Sequence, residues 1–261
     1  MLLPHCTRDL HLGSRDEERT HQLSGEAVNW TIKHRGFDNF LSVLSFLEDK
    51  SQGFKFNFGK VKHLAVAGYS AGGYGLMFGL PYLMHLMPSA KVDVISDSAI
   101  GAITPSFYKT AMWNPKNQKS TSWGIEKNLP TWVIDDEYMD SFAQKPSDLV
   151  PTTFEEYCNT LPEIKAAMTT FNLDQVQIFF YLLMRLQEDP SLTDEKVIAE
   201  WYNLMVSALG SLEDVSNYKS YISDGFDHGF IFDYRYYDTI TDGITLNEWI
   251  FHMLKKKTRQ W

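Results

Sequence analysis

Two cysteines, Cys6 and Cys158, are all that 261 residues contain. They allow one internal disulfide at most, which excludes a disulfide-built scaffold but does not fix the redox compartment. Basic residues are also in short supply: 24 Lys and Arg stand against 33 Asp and Glu, a formal net charge of −9. That balance argues against a nucleic-acid or anionic-membrane partner. The one basic cluster, Lys255, Lys256, Lys257 and Arg259, follows an apolar helix and reads as its solvated, dipole-favoured end. No uncharged run reaches the roughly twenty residues of a membrane span. The longest, Ala71 to Met87, carries Pro81 and His85 and reads as a buried helix. Repeats are absent, and Met1 to Pro4 run into charged residues too soon for a signal peptide. The sequon at Asn29, Trp30 and Thr31 is a single match close to chance.

What is present is a core: 44% hydrophobic and 14% aromatic residues suffice for one α/β domain of this length. Its organising stretch is Val61 to Met87. Val61 to Ala67 has the small and β-branched residues of a buried parallel strand. Gly68, Tyr69, Ser70, Ala71 and Gly72 follow as G-x-S-x-G, with Gly73 and then the uncharged helix. Strand, sharp turn and buried helix in that order form the context of a nucleophile elbow. Ser70 would take a strained backbone, and Gly68, Gly72 and Gly73 would let strand and helix pass closely.

The other elements are read in chain order. Leu2 and Leu3 resemble the end of a strand, leading into a loop with His5, Cys6, Asp9 and His11. Their spacing is not that of a zinc site, so satisfied polar side chains are expected there, with no metal. Phe37, Phe40, Leu41, Leu44 and Leu47 recur at helical spacing. Lys91 to Gly101 reads as the next parallel strand, and Thr104 to Pro162, aperiodic and rich in Pro and Trp, as an insertion or lid. A strand-like piece then leads to Asp174 and an apolar helix in which Arg185 is a solvated end position. A second helix runs from a cap at Thr193 to Gly210. The last strand lies in Tyr218 to Phe232, its loop presenting Asp224, Asp227 and His228, and a helix closes the chain. Strands alternating with helices give a single domain, 1–261, with a mostly parallel sheet flanked by helices.

A serine hydroxyl needs an imidazole to take its proton and a carboxylate to hold that imidazole. Ser70, Asp174 and His228 follow strands in the order serine, acid, histidine, as in α/β-hydrolases. Asp97, Asp224 and Asp227 also sit near strand ends, so spacing alone leaves the acid open.

PHCTRDLHLG, HRGFDNF, AGYSAGGYG, ISDS, FNLDQVQ and YKSYISDGFDHGF, in this order, resemble the pectin acetylesterase and Notum family of α/β-hydrolases. The resemblance covers nearly the whole chain. It implies that Ser70 is the nucleophile, that Asp174, with Gln177 in an Asp-x-x-Gln segment, is the acid, and that His228 is the base. Carboxylic esters would be the substrates: acetyl groups on pectin in plant and microbial members, a fatty acyl group on a signalling protein in Notum. An acetyl group on a small molecule or polysaccharide is the leading expectation here, with no cofactor. Net −9 speaks mildly against polyanionic pectin unless the cleft is locally basic.

Two departures matter. Arg8 stands where relatives commonly have a small residue, at the expected pocket rim. The family's earlier strands and glycine-rich loop, roughly Gly-Gly-x-x-Cys, have no counterpart, which leaves the Ala71 N–H as the oxyanion donor from the familiar set. The expectation is an N-terminally incomplete reading of a longer protein, with Met1 internal and a secretion signal lost with the same segment. The elbow strand would then pair with Leu2 and Leu3 or leave an exposed edge. A non-catalytic binding or scaffold protein is the rival reading, and a thioesterase or peptidase would use the same triad.

Overall fold

The computed structural model describes residues 2–49, 56–115, 121–161 and 164–255. Met1, Pro162, Lys256, Lys257 and Arg259 lie outside them, and with them the expectations of an internal start, of the inserted segment's far boundary and of a basic tail. After an irregular loop the chain forms an antiparallel hairpin, β1 (Arg15–Leu23) and β2 (Glu26–His34). Ser24 and Gly25 turn it with φ of 51° and 88°, the positive pair that a two-residue type I′ turn needs. Most of the hairpin is exposed, Asn29 of the sequon included.

Helix α1 (Gly36–Glu48) buries Phe37 and Leu44 and leads to β3 (His63–Tyr69), α2 (Ala71–Leu86) and β4 (Lys91–Asp97). A segment of short helical pieces follows: α3 (Pro105–Phe107), a π-helical turn over Tyr108–Met112, α4 (Asp136–Ser141) and α5 (Leu149–Thr160). Next come β5 (Ile164–Phe171), α6 (Gln175–Glu188), α7 (Asp194–Gly210) and β6 (Tyr218–Ser223). The chain ends with α8 (Arg235–Asp238), the short pair β7 (Ile240–Thr241) and β8 (Ile244–Thr245), and α9 (Leu246–Lys255).

The central sheet is parallel throughout, in the order β3-β4-β5-β6. Its register sets Tyr69 beside Asp97, Asp97 beside Thr169 and Thr169 beside Tyr221. The four strands therefore end nearly level, and the loops that leave them converge at one edge. That convergence is what places functional loops together in sheets of this kind. β5, an inner strand, is almost wholly buried, whereas β3 alternates between exposed and half-buried residues until Gly68.

β3 is an edge strand: among the described residues nothing pairs with its outer side. Leu2 and Leu3 form no strand, contrary to the sequence reading. Two apolar residues followed by Pro4, which has no N–H to donate, are too little to hold a ladder. Cys6 and Cys158 are free thiols, so the permitted disulfide is not formed; burial pushes the Cys158 thiol up to about 12. Among the described residues no helix is long and apolar enough to cross a membrane.

The 104–161 segment is largely core. Tyr108, Trp113 and Met139 are buried, with the Tyr108 hydroxyl donating to Met139 O at 2.7 Å and Trp113 Nε1 to Asp140 Oδ1 at 2.6 Å. Two helix details depart from the sequence reading. Thr193 occupies the N-cap of α7, but its side chain makes no capping hydrogen bond. Arg185 is more than a solvated end: it binds Glu188 at 2.8 Å and Glu200 of α7 at 2.8 Å, joining the two helices.

Pro81 lies inside α2. Proline has no N–H, so the carbonyl four residues back loses its intrahelical partner. That carbonyl is Met77 O, and the buried Tyr157 hydroxyl of α5 donates to it. Tyr157→Phe should therefore cost about 2 kcal/mol, the range for an orphaned buried acceptor. Part of the cost should disappear in a Pro81→Ala background, where an N–H returns to Met77 O; additive urea-unfolding free energies across the four proteins would refute the coupling.

Candidate functional site

Ser70 joins β3 to α2 with φ 51° and ψ −118°, an unfavourable conformation for a residue with a Cβ. It is held from both sides: Ser70 N–H donates to Asp97 O at 2.7 Å, and Ser70 O accepts from Gly73 N–H at 2.9 Å. A Cβ on Gly68 would collide with the Gly72 carbonyl, and one on Gly73 would meet Ala99 Cβ at 2.5 Å and Ser96 Oγ at 2.7 Å. Strand and helix thus pass closely for the reason expected. Gly72 is the exception among the three glycines, because a side chain there would meet nothing within 4 Å.

Asp174 is fully buried and caps α6. Its Oδ1 accepts from Val176 N–H at 3.1 Å and Gln177 N–H at 3.0 Å, and its Oδ2 from Gln177 Nε2 at 2.9 Å. His228 Nδ1 lies 2.9 Å from both carboxylate oxygens. An ionised carboxylate accepts only, so Nδ1 carries the proton and Nε2 is the free, basic nitrogen. Gln177 fixes the acid in turn: its Nε2 also donates to Thr170 Oγ1 at 3.1 Å, and its Oε1 accepts from Ile100 N–H at 3.1 Å.

The other acids that spacing left open have different partners. Asp224 accepts from Asn172 Nδ2 at 2.5 Å, and Asp227 pairs with Arg235 at 2.9 Å. Asp97 is fully buried; its Oδ2 accepts from Phe230 N–H at 2.7 Å and Ile231 N–H at 2.9 Å, and its Oδ1 from Thr169 Oγ1 at 2.8 Å. Burial raises its carboxyl above the ordinary value in spite of these donors. It clamps the backbone just beyond His228. From the other side Tyr69 donates its hydroxyl to His228 O at 3.2 Å, with its ring 5.2 Å from the imidazole. Gly229 between the clamps has φ 68°, and a Cβ there would strike the Tyr69 ring.

Ser70, Ala71 and His228 line one cavity of about 690 Å³. Ala71 opens α2, so its N–H has no acceptor within the helix. α6 contributes Val176, Phe180, Leu183 and Met184; Ile103, Phe107 and Trp123 add further apolar wall. Ser98, which the sequence reading passed over, also lines it. It follows β4 with φ 56°, is buried, and its Oγ has no hydrogen-bond partner among the described residues. Its only sequence signal is its place directly after a strand, in ISDS.

His5, Arg8 and Leu10 reach the same cavity from the first loop. There the buried Asp9 accepts from Thr7 Oγ1 at 2.7 Å, His11 N–H at 3.2 Å and Gly36 N–H at 2.7 Å. His5 Nε2 accepts from the N–H groups of Asp9 and Leu10, both at 3.1 Å. Polar side chains satisfying one another is the arrangement expected of this loop. The chain matches no protein-family model and no curated protein.

Two predictions follow from the loops that frame this cavity. Asp97→Ala strands the buried N–H of Phe230 and the half-buried N–H of Ile231 and should cost about 3 kcal/mol. Asp97→Asn keeps an acceptor and should cost clearly less, so equal losses in urea unfolding would contradict the clamp. Burial, aided by the charge on His5, lowers His11 from 6.5 to about 4. The unfolded chain then binds the extra proton between those values, and stability falls as pH drops through that window. His11 has φ 63°, which asparagine tolerates. His11→Asn should flatten the urea midpoint between pH 6.5 and 4; an unchanged slope there would assign the acid sensitivity elsewhere.

Proposed function

We propose that this chain is a serine carboxylic ester hydrolase with an α/β-hydrolase-like site, similar to the pectin acetylesterase and Notum family. One observation carries the reading: a serine at φ 51° opens a helix in the same cavity as a histidine whose Nδ1 is held 2.9 Å from a buried carboxylate. With Nδ1 committed to Asp174, Nε2 is the nitrogen that accepts the Ser70 proton. Ser70 Oγ attacks the ester carbonyl, and the Ala71 N–H, at the positive end of α2, holds the developing oxyanion. His228 returns the proton to the departing alcohol. Water then repeats the sequence to release the acid and free Ser70. Asp174 keeps the imidazole in one tautomer and stabilises its cationic form without taking the proton.

The substrate is an acylated small molecule or polysaccharide. Acetyl is the acyl group that the sequence resemblance favours, but a cavity of about 690 Å³ with Phe180, Leu183 and Met184 in its wall has room and apolar surface for a longer chain. The rival, a non-catalytic binding protein, draws support from the oxyanion site, where Ala71 is the one donor assigned.

Hydrolysis of p-nitrophenyl acetate and octanoate by the purified chain, beside Ser70→Ala, separates the two. Loss of the nucleophile should lower kcat by about 10⁴-fold or more, and a fluorophosphonate should label Ser70 and no other serine. A folded protein no faster than Ser70→Ala, and unlabelled, would leave the binding reading.

A further inference from the structure

Along α6 the cavity wall is mostly apolar, with Gln177 and Gln187 as its polar members, and exposed residues border it both on α6, at Phe180 and Leu183, and on the first loop, at His5 and Arg8. Among the described residues that line it, Arg8 is the only Arg or Lys, and no Asp or Glu is present. This contrasts with a chain of formal net charge −9. Arg8 is exposed and has no ion pair or hydrogen bond among the described residues, whereas Arg15, Arg19, Arg35, Arg185 and Arg235 are all engaged. A cation left unpaired in so acidic a protein is available to a ligand.

Its backbone is committed as well. Arg8, Leu10 and His11 have φ of 54°, 54° and 63°, three non-glycine residues in the left-handed region within four positions. The buried Asp9 between them holds this conformation through Gly36 N–H, His11 N–H and Thr7 Oγ1. Strain of this kind persists where the surroundings over-determine it, and it concentrates at ligand-holding positions. Here its result is to set a guanidinium, with its planar fork of donors, at the cavity that holds Ser70 and His228.

We propose that Arg8 is an anion-binding subsite that selects esters whose alcohol half carries a carboxylate. This rests on the ester-hydrolase reading for the identity of the reacting group. The apolar residues of α6 suit the acyl chain, so the charged part of the substrate falls to the other half, the alcohol, and to Arg8. The neighbouring His5 lines the same cavity and adds a second polar side chain beside Arg8.

The test compares 4-acetoxybenzoate with its neutral isostere 4-acetoxybenzamide, and the products 4-hydroxybenzoate and 4-hydroxybenzamide as calorimetric ligands. The wild-type protein should prefer the carboxylate ester in kcat/KM by about fivefold at low salt, the upper range for a solvent-accessible ion pair. The preference should shrink in 0.5 M salt, on the order of the screening expected there. Arg8→Gln should bring the ratio close to one, and Arg8→Lys should restore part of it. A merely structural role would lower both esters together and leave their ratio intact, which would overturn the proposal, as would equal wild-type preference in Arg8→Gln. Should neither ester be hydrolysed, the products decide: tighter binding of 4-hydroxybenzoate, lost in Arg8→Gln, supports the subsite while the hydrolase reading falls. Equal binding of the two products overturns the subsite alone.

Discussion

The carboxylate of Asp174 is where fold and site become one object. Its Oδ1 satisfies the first free N–H groups of α6, and the same two oxygens hold the proton of His228. An uncompensated charge at such a depth would be untenable. Charge-assisted bonds from Val176, Gln177 and His228 are what permit it. The start of α6, the end of β5 and the loop after β6 are therefore fixed by a single group. Gln177 extends the constraint to Ile100 beyond β4 and to Thr170 of β5. A shift of any of these strands by one residue would misplace the imidazole.

Asp97 plays the complementary part. It lies level with Thr169 in the sheet and reaches across to the backbone of Phe230 and Ile231. Asp97 ends β4 and Asp174 follows β5, and both are buried, yet one meets the chain that carries the ring and the other the ring itself. Tyr69, the residue before Ser70, closes the frame by bonding His228 O. The strand that carries Ser70 therefore helps to position His228. Gly229 is required because this frame leaves no room for a Cβ beneath the Tyr69 ring.

Much of this was legible in the sequence, for local reasons. G-x-S-x-G between a β-branched run and an uncharged helix specifies a turn whose glycines are dictated by backbone contact, and Gly68 and Gly73 behave so. The four central strands and the helices after Ser70, Asp174 and Thr193 stood out by period and punctuation. The hairpin over Arg15–His34 did not, because its exposed strands have no apolar face to alternate with polar residues. Its one local signal was Ser24-Gly25. Segment 104–161 hid for the opposite reason: its buried Tyr108, Trp113 and Trp123 lie on a π-helical turn or on irregular chain with no sustained period. The role of Asp97 was out of reach, since its partners are backbone groups 133 and 134 positions away.

What separates the site from an ordinary cleft at a sheet edge is where strain is spent. Ser70 and Ser98, at the ends of adjacent strands, both have positive φ, and so do Arg8, Leu10 and His11 in the loop that meets them. Each is a residue with a Cβ in a conformation that costs of the order of 1 kcal/mol or more. Glycine at any of these positions would relieve it, and glycine is present close by at 13, 68 and 73. Of the seven non-glycine residues with positive φ among the described residues, Ser70, Ser98, Arg8 and Leu10 line the cavity, whereas His11, Ser24 and Asp242 do not. At Ser70, Ser98, Arg8 and Leu10 folding energy is given up at the cavity wall itself, where a glycine would relax the backbone but leave no side chain to face the cavity.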